Sequence, residues 1–122
     1  MSTVLIVEDN DKNMKLARDV LQAKGYQTLE AITGEEGVKL AKERKPDLVL
    51  MDIQLPGING IEAFRRIRAD ASTSRIPVVA LTASVTPTDR TAIAAAGFDA
   101  FLSKPINLKE FLDTVKRMVE KK

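Results

Sequence analysis

Three short apolar runs constrain the fold of this chain more than any other feature. They cover residues 4–7 (VLIV), 48–51 (LVLM) and 78–81 (VVAL), and no polar residue interrupts them. Each run is too short for a helix and rich in strand-forming residues, which is typical of strands buried on both faces of a parallel sheet. Two mixed segments, residues 26–31 and 98–102, are typical of edge strands.

Helical segments with recognisable ends separate these strands. Four helix starts are indicated, by Thr33 with Glu36, Asn59 with Glu62, Asn107 with Glu110, and Thr86 before Pro87. Gly25 and Gly97 stand where helices should end before a strand. The last segment carries one apolar stripe at helical spacing, which we expect in the core: Leu108, Phe111, Leu112, Val115, Met118 and Val119.

The alternation of strands and helices predicts an α/β fold. Five βα units in succession imply a doubly wound, five-stranded parallel sheet with helices on both faces. Two edge strands and three central strands match the flavodoxin-like order 2-1-3-4-5, in which ligands bind at the carboxyl ends of the first and third strands. We expect residues 1–122 to form one domain with no output domain.

Composition excludes several classes of function. Lysines and arginines number 19 against 17 acidic residues, and a net charge of +2 gives no reason to expect binding to nucleic acid or a membrane. There is no cysteine for a disulfide or a thiolate site and no histidine, so any phosphohistidine must belong to a partner. No segment has the features of an export signal, and we expect a cytoplasmic protein.

Polar side chains follow the predicted strands at the edge where ligands should bind. Glu8 and Asp9 end the first strand, and Asp52 ends the third, so three carboxylates should converge there. Repulsion between carboxylates this close destabilises the fold unless a cation neutralises their charge. Their oxygen atoms are ligands that suit Mg²⁺. Thr82 and Lys104 follow the fourth and fifth strands and should reach the same edge.

These residue types suit phosphoryl transfer to a carboxylate. Asp52 can act as the nucleophile that forms an aspartyl phosphate, while a metal ion, Lys104 and Thr82 stabilise charge on the phosphoryl oxygens. Each residue also has an ordinary interpretation. For Asp9 it is the cap of the next helix, where Asn10 or Asp11 would serve equally well; for Thr82 it is an unremarkable strand end, and for Lys104 a solvated surface charge. Their joint position at one edge favours the functional interpretation.

Four motifs give the chain a resemblance to the receiver domains of two-component response regulators along essentially its whole length. The motifs are VLIVEDN, LVLMDIQLPGINGIE around Asp52, VVALTA around Thr82 and FLSKPI around Lys104. The stretch VEDNDKNMKLARDVLQAKGY with MDIQLPGINGIE is most similar to single-domain cell-cycle regulators of the DivK type, and also to receivers attached to hybrid histidine kinases.

The resemblance implies a role for each acidic residue. Asp52 is implied as the phosphoacceptor, and Asp9, Asp52 and the backbone carbonyl of Gln54 as ligands of Mg²⁺, or of Mn²⁺ in its place. Glu8 is implied to act on the metal through water. The Glu-Asp pair departs from the Asp-Asp pair of many receivers in a way that should preserve metal binding.

The resemblance also implies a switch. Thr82 would close on the phosphoryl group, Lys104 would contact it after a cis peptide before Pro105, and Phe101 would be the aromatic switch residue. A phenylalanine in an edge strand is usually part of the core, so Phe101 and Phe98 have that second interpretation. Gly57 and Gly60 are expected to allow positive φ or close approach after Asp52.

The implied partners are a histidine kinase or phosphotransfer protein as donor, and a downstream protein. The latter would dock on the face made by the fourth helix, fifth strand and fifth helix, which carries Arg90, Lys109, Lys116 and Arg117. We expect a monomer or weak dimer that is no enzyme beyond its own phosphorylation and autodephosphorylation. Gln54 and Ser84 are expected to influence hydrolysis.

Two alternative interpretations of the chain are a phosphorylation-independent pseudo-receiver that serves for docking, and a receiver excised from a hybrid histidine kinase. An FMN carrier would share the fold, but its Ser/Thr/Gly-rich phosphate loop is missing after the first strand. A phosphohydrolase of the haloacid dehalogenase kind needs a second acid two residues after its nucleophile, and Gln54 stands there.

Overall fold

Five parallel strands form one sheet in the order β2-β1-β3-β4-β5, which confirms the predicted fold class. The computed structural model describes residues 2–83, 87–104 and 106–120, with the backbone alone for residues 87–90. The strands are β1 (Thr3–Val7), β2 (Gln27–Ala31), β3 (Leu48–Asp52), β4 (Val78–Thr82) and β5 (Ala100–Ser103). The central strands β3 and β4 are buried along their whole length, as their unbroken apolar runs predict.

Five helices connect and follow the strands. They are α1 (Asp11–Ala23), α2 (Gly34–Arg44), α3 (Gly60–Ala69), α4 (Pro87–Ala96) and α5 (Leu108–Glu120). The predicted caps at Thr33, Asn59 and Asn107 are confirmed, because each side-chain oxygen accepts a hydrogen bond from the backbone N–H three residues later, at 2.9–3.1 Å. Thr86 lies outside the described residues. Within those residues, no helix is both long enough and apolar enough to span a bilayer.

Two apolar clusters cover the two faces of the sheet. On one face α1 and α5 pack on the strands, with Phe111, Val115 and Met118 buried as the stripe predicts. On the other face α2 and α3 supply side chains such as Phe64. The prediction was wrong for Leu108, which is 48% exposed, because it lies in the first turn of α5, ahead of the point where Phe111 reaches the core.

Two glycines shape the connection from β3 to α3, as predicted. Gly57 has a φ of 74°, a left-handed conformation that side chains disfavour. A Cβ on Gly60 would lie 2.2 Å from the backbone carbonyl oxygen of Asp52. The start of α3 therefore rests directly on the backbone of the residue that ends β3, and only glycine permits that contact.

Candidate functional site

Three carboxylates meet at the carboxyl ends of β1 and β3, as the predicted strand order requires. The two strands are neighbours, with Val7 paired to Met51, so Glu8 and Asp9 follow one strand beside Asp52 at the end of the other. One carboxylate oxygen from each residue lies within 4.8 Å of the other two. Glu8 and Asp52 are only 2% and 3% exposed, whereas Asp9 is exposed to solvent.

Lys104 joins the two buried carboxylates. Its Nζ donates hydrogen bonds to Glu8 Oε1 at 2.7 Å and to Asp52 Oδ2 at 2.8 Å. The lysine backbone is also fixed, because its N–H donates to the carbonyl oxygen of Thr82 at 2.8 Å. We call Glu8, Asp52 and Lys104 the rim cluster.

The second oxygen of each buried carboxylate is held by the backbone. Glu8 Oε2 accepts a hydrogen bond from the N–H of Asn10 at 3.2 Å, and Asp52 Oδ1 accepts one from the N–H of Gln54 at 3.0 Å. Both acids are thus oriented by a cation on one side and an N–H two residues later on the other. The sequence did not predict these two donors, because nearly every residue type has a backbone N–H and residue identity therefore does not show which N–H will donate.

The electrostatics of the rim cluster favour an additional cation. Burial raises the pKa of Glu8 to about 7, and the nearby Asp52 carboxyl adds to this rise while Lys104 opposes it. Burial alone would lower the pKa of Lys104, but its bonds to Asp52 and Glu8 raise it above the ordinary value, so the ammonium stays charged. One lysine therefore faces two buried carboxylates, with Asp9 as a third at the surface.

Asp9 is not needed as a helix cap. The side chain of Asn10 caps α1, since its Oδ1 accepts a hydrogen bond from the N–H of Asn13 at 3.0 Å. The ordinary interpretation of Asp9 is therefore wrong, and its carboxylate stands at the mouth of the acidic cluster. Three oxygen donors around one point are the chemistry that Mg²⁺ prefers.

The two residues implied as a switch lie on neighbouring strands and differ in burial. Thr82 is 1% exposed at the end of β4, the strand next to Asp52. Phe101 lies on edge strand β5 and is 39% exposed, so its interpretation as a core residue is wrong. Phe98 does pack in the core, with its ring centroid 4.2 Å from that of Phe64. Ser84, Pro105 and the side chain of Arg90 lie outside the described residues.

The family model and the similar proteins of known name point to the same family. Residues 4–116 match the family model of the response regulator receiver domain. The polar-differentiation response regulator DivK of Brucella anthropi is 45% identical over 114 residues, which cover 93% of each chain.

Solved structures agree with the sequence comparison. The receiver domain of a sensor histidine kinase from Pseudomonas aeruginosa PAO1, with a magnesium ion coordinated in its active site cleft, is 33% identical with a TM-score of 0.91 over 98% of each chain. The chemotaxis response regulator CheY4 of Vibrio cholerae is 27% identical with a TM-score of 0.90, over 97% of this chain and 98% of that one.

Proposed function

The chain belongs to the response regulator receiver domain family of two-component signalling, and from that premise we propose that Asp52 accepts the phosphoryl group. The observation that carries this proposal is the setting of the Asp52 carboxylate. It is buried at the end of central strand β3, one oxygen lies 2.8 Å from an ammonium group, and a backbone N–H orients the other. Because β3 lies between β1 and β4, Asp52 also stands between Glu8 and Thr82.

The proposed reaction transfers a phosphoryl group from a histidine of a partner protein. A carboxylate oxygen of Asp52 bonds to phosphorus while the phosphorus–nitrogen bond breaks, and the histidine nitrogen leaves with the electron pair of that bond. The donor is a histidine kinase or a phosphotransfer protein, since this chain contains no histidine. Lys104, which contacts Asp52, would balance negative charge on the phosphoryl oxygens, and the hydroxyl of Thr82 on the neighbouring strand would donate a hydrogen bond to one of them.

The acidic cluster fits a divalent cation, which we assign as Mg²⁺ or, in its place, Mn²⁺. Asp9, Asp52 and the backbone carbonyl of Gln54 would be direct ligands, and Glu8 would act through water. The converging carboxylate oxygens and the excess of acid over Lys104 support this assignment. When bound, the ion neutralises charge on the phosphoryl oxygens.

We propose that output is a phosphorylation-dependent change in protein binding. The added charge would draw Thr82 towards the phosphoryl group and let exposed Phe101 on β5 turn inward, which alters the face formed by α4, β5 and α5. This face would bind the downstream protein. The protein would work in the cytoplasm as a single receiver domain, monomeric or weakly dimeric, catalysing only its own phosphorylation and dephosphorylation.

The strongest alternative is a pseudo-receiver that docks without phosphorylation. Such a protein has no need for an oriented acid, a partly buried lysine and a hydroxyl at one edge, and Asp52, Lys104 and Thr82 all stand there. A receiver excised from a hybrid histidine kinase would use the same chemistry. The greater identity to DivK, 45% against 33% for the kinase receiver, supports the single-domain proposal.

The experiment is intact mass after incubation with acetyl phosphate, with and without Mg²⁺. We expect an added phosphoryl mass that requires Mg²⁺ and is lost in Asp52→Asn. Asp113→Asn is a matched control, because that carboxylate is exposed on α5 away from the acidic cluster. Labelling of the Asp52→Asn variant would disprove the assignment. If no mass is added, binding of a beryllofluoride mimic decides between rapid hydrolysis and the pseudo-receiver.

A further inference from the structure

A groove between α5 and the connection from α1 to β2 has no role in the chemistry proposed above. It has a volume of about 410 Å³ and lies between the end of α1, the start of β2 and α5. Six residues line it: Lys24, Tyr26, Lys109, Leu112, Asp113 and Lys116. Lys24 and Tyr26 precede β2, so this part of the groove is at the end of the sheet opposite the rim cluster.

The groove has unbalanced positive charge. Three exposed ammonium groups, those of Lys24, Lys109 and Lys116, face the single carboxylate of Asp113. Within the part of the chain that the structure describes, none of these three ammonium groups makes an ion pair or a hydrogen bond. By contrast, Lys15 pairs with an acid on its own helix.

The floor of the groove is apolar. Tyr26 and Leu112 are half-buried and pack against the core cluster beneath α1 and α5. An apolar floor edged by unpaired cations matches a segment that presents one or two apolar side chains flanked by carboxylates. Lys109 and Lys116, which sequence reasoning grouped with the α4 side of α5, border this groove together with α1 and β2.

We propose that this groove binds an acidic segment of a partner protein, independently of phosphorylation at Asp52. A protein segment fits better than nucleic acid for two reasons. Affinity for nucleic acid depends on many phosphate contacts along a basic track, and three lysines supply few. A single aromatic side chain also gives little surface on which successive bases can stack.

The chain contains its own probe of this groove. Tyr26 is the only tyrosine and there is no tryptophan, so intrinsic fluorescence reports on the groove floor alone. The ligand is a capped octapeptide of glutamates with two leucines, titrated into the full chain at low salt. We expect saturable change in Tyr26 fluorescence that weakens as salt rises, and no change with a lysine-and-leucine octapeptide.

Charge reversal locates the binding. Lys24→Glu and Lys116→Glu should each weaken binding of the acidic peptide about two- to fivefold, and the double variant about tenfold, as expected for exposed ion pairs. Lys39→Glu is the matched control, because that lysine is exposed on α2 away from the groove, and it should bind as the wild type does. Circular dichroism checks that each variant is folded.

Three results would overturn the proposal. They are no fluorescence change at low salt, equal loss of affinity in Lys39→Glu and the groove variants, or tighter binding of an oligothymidine than of the acidic peptide. The Asp52→Asn variant should bind the peptide normally. A failure here therefore leaves the phosphorylation proposal untouched, and a failure of phosphorylation leaves the groove untouched.

Discussion

The rim cluster and the Arg68–Asp99 pair are two ways in which this fold holds opposite charges. At the opposite end of the sheet, Arg68 of α3 donates to Asp99 Oδ2 at 2.6 Å, just before β5 begins. The same Asp99 oxygen accepts the N–H of Val78 at 2.8 Å, and the guanidinium lies 4.9 Å from the ring centroid of Phe64. There one cation meets one carboxylate, and both are partly exposed.

The rim cluster differs in burial and in charge balance. Two carboxylates that are nearly inaccessible share one lysine there. A balanced, half-exposed pair with backbone bonds adds to stability, whereas an excess of buried negative charge lowers it. The pair therefore connects elements of the fold, whereas the cluster lowers stability and is of the kind expected at a functional site.

The largest expected difference between the two regions is in phosphoryl transfer. Lys104→Met should slow labelling by acetyl phosphate about 100-fold or more, because the cation next to Asp52 is lost. Arg68→Met should leave the rate within about twofold at a temperature where it is folded. Time courses of intact mass measure both. Equal slowing in the two variants would mean that Lys104 contributes no more to phosphoryl transfer than Arg68 does.

A second difference concerns the glycine nearest each region. Gly60→Ala places a Cβ 2.2 Å from the carbonyl oxygen of Asp52, so we expect a loss of about 3 kcal/mol or more in the free energy of unfolding. Gly97→Ala should cost about 1 kcal/mol, from its φ of 97°, since the nearest atom is a Phe64 ring carbon 3.9 Å away. Urea denaturation measures both values, and a reversed order would contradict this account.

Removing each cation should also affect stability differently. In metal-free protein, Lys104→Met should lower the free energy of unfolding by about 3 kcal/mol, since two buried carboxylates lose their shared partner. Arg68→Met should cost about 2 kcal/mol through lost charge-assisted bonds.

Mg²⁺ separates the two effects. Its addition should raise the thermal midpoint of Lys104→Met by more than that of Arg68→Met, because a bound cation replaces the missing charge only at the rim. Equal rises would mean that the ion does not replace the charge of Lys104, and no rise in either variant would mean that the acidic cluster does not hold the ion.

The last expected difference is a dependence of stability on pH, which arises at the rim cluster. Glu8 has its pKa raised from 4.5 to about 7 by burial, so the folded chain holds this proton more tightly than the unfolded chain. Its contribution is complete below pH 4.5 and is lost as pH rises through 7. In metal-free protein the free energy of unfolding should therefore fall between pH 5.5 and pH 8, by an amount on the order of 1 to 3 kcal/mol. Urea titrations at the two pH values measure it, and the fall should be much smaller in Glu8→Gln.

Sequence reasoning succeeded where the information was local. The apolar runs predicted β1, β3 and β4, and their ends placed Glu8 and Asp52 at one edge because strand order brings those ends together. Capping residues marked three helix starts correctly. Each of these features depends on residue type within a few positions of the chain.

What the sequence did not reveal depends on contacts between distant segments. The Arg68–Asp99 pair joins α3 to the residue before β5, and no local pattern distinguishes it from two surface charges. The exposure of Leu108 and Phe101 likewise depends on where neighbouring helices and strands end. The spacing of apolar residues along the sequence does not predict those ends. The hydrogen bond from Lys104 to Glu8 joins residues 96 positions apart. Neither the charges of the two residues nor their spacing in the sequence predicted it.

That span has a consequence for the order in which the molecule can assemble. β1 lies inside the sheet between β2 and β3 and carries Glu8 into the interior, whereas the ammonium group that balances Glu8 and Asp52 follows β5. While the segment after β5 is undocked, the paired strands β1 and β3 hold two acids side by side without this counter-charge. The first pairing of the sheet is therefore stabilised by a contact of high sequence separation that forms late.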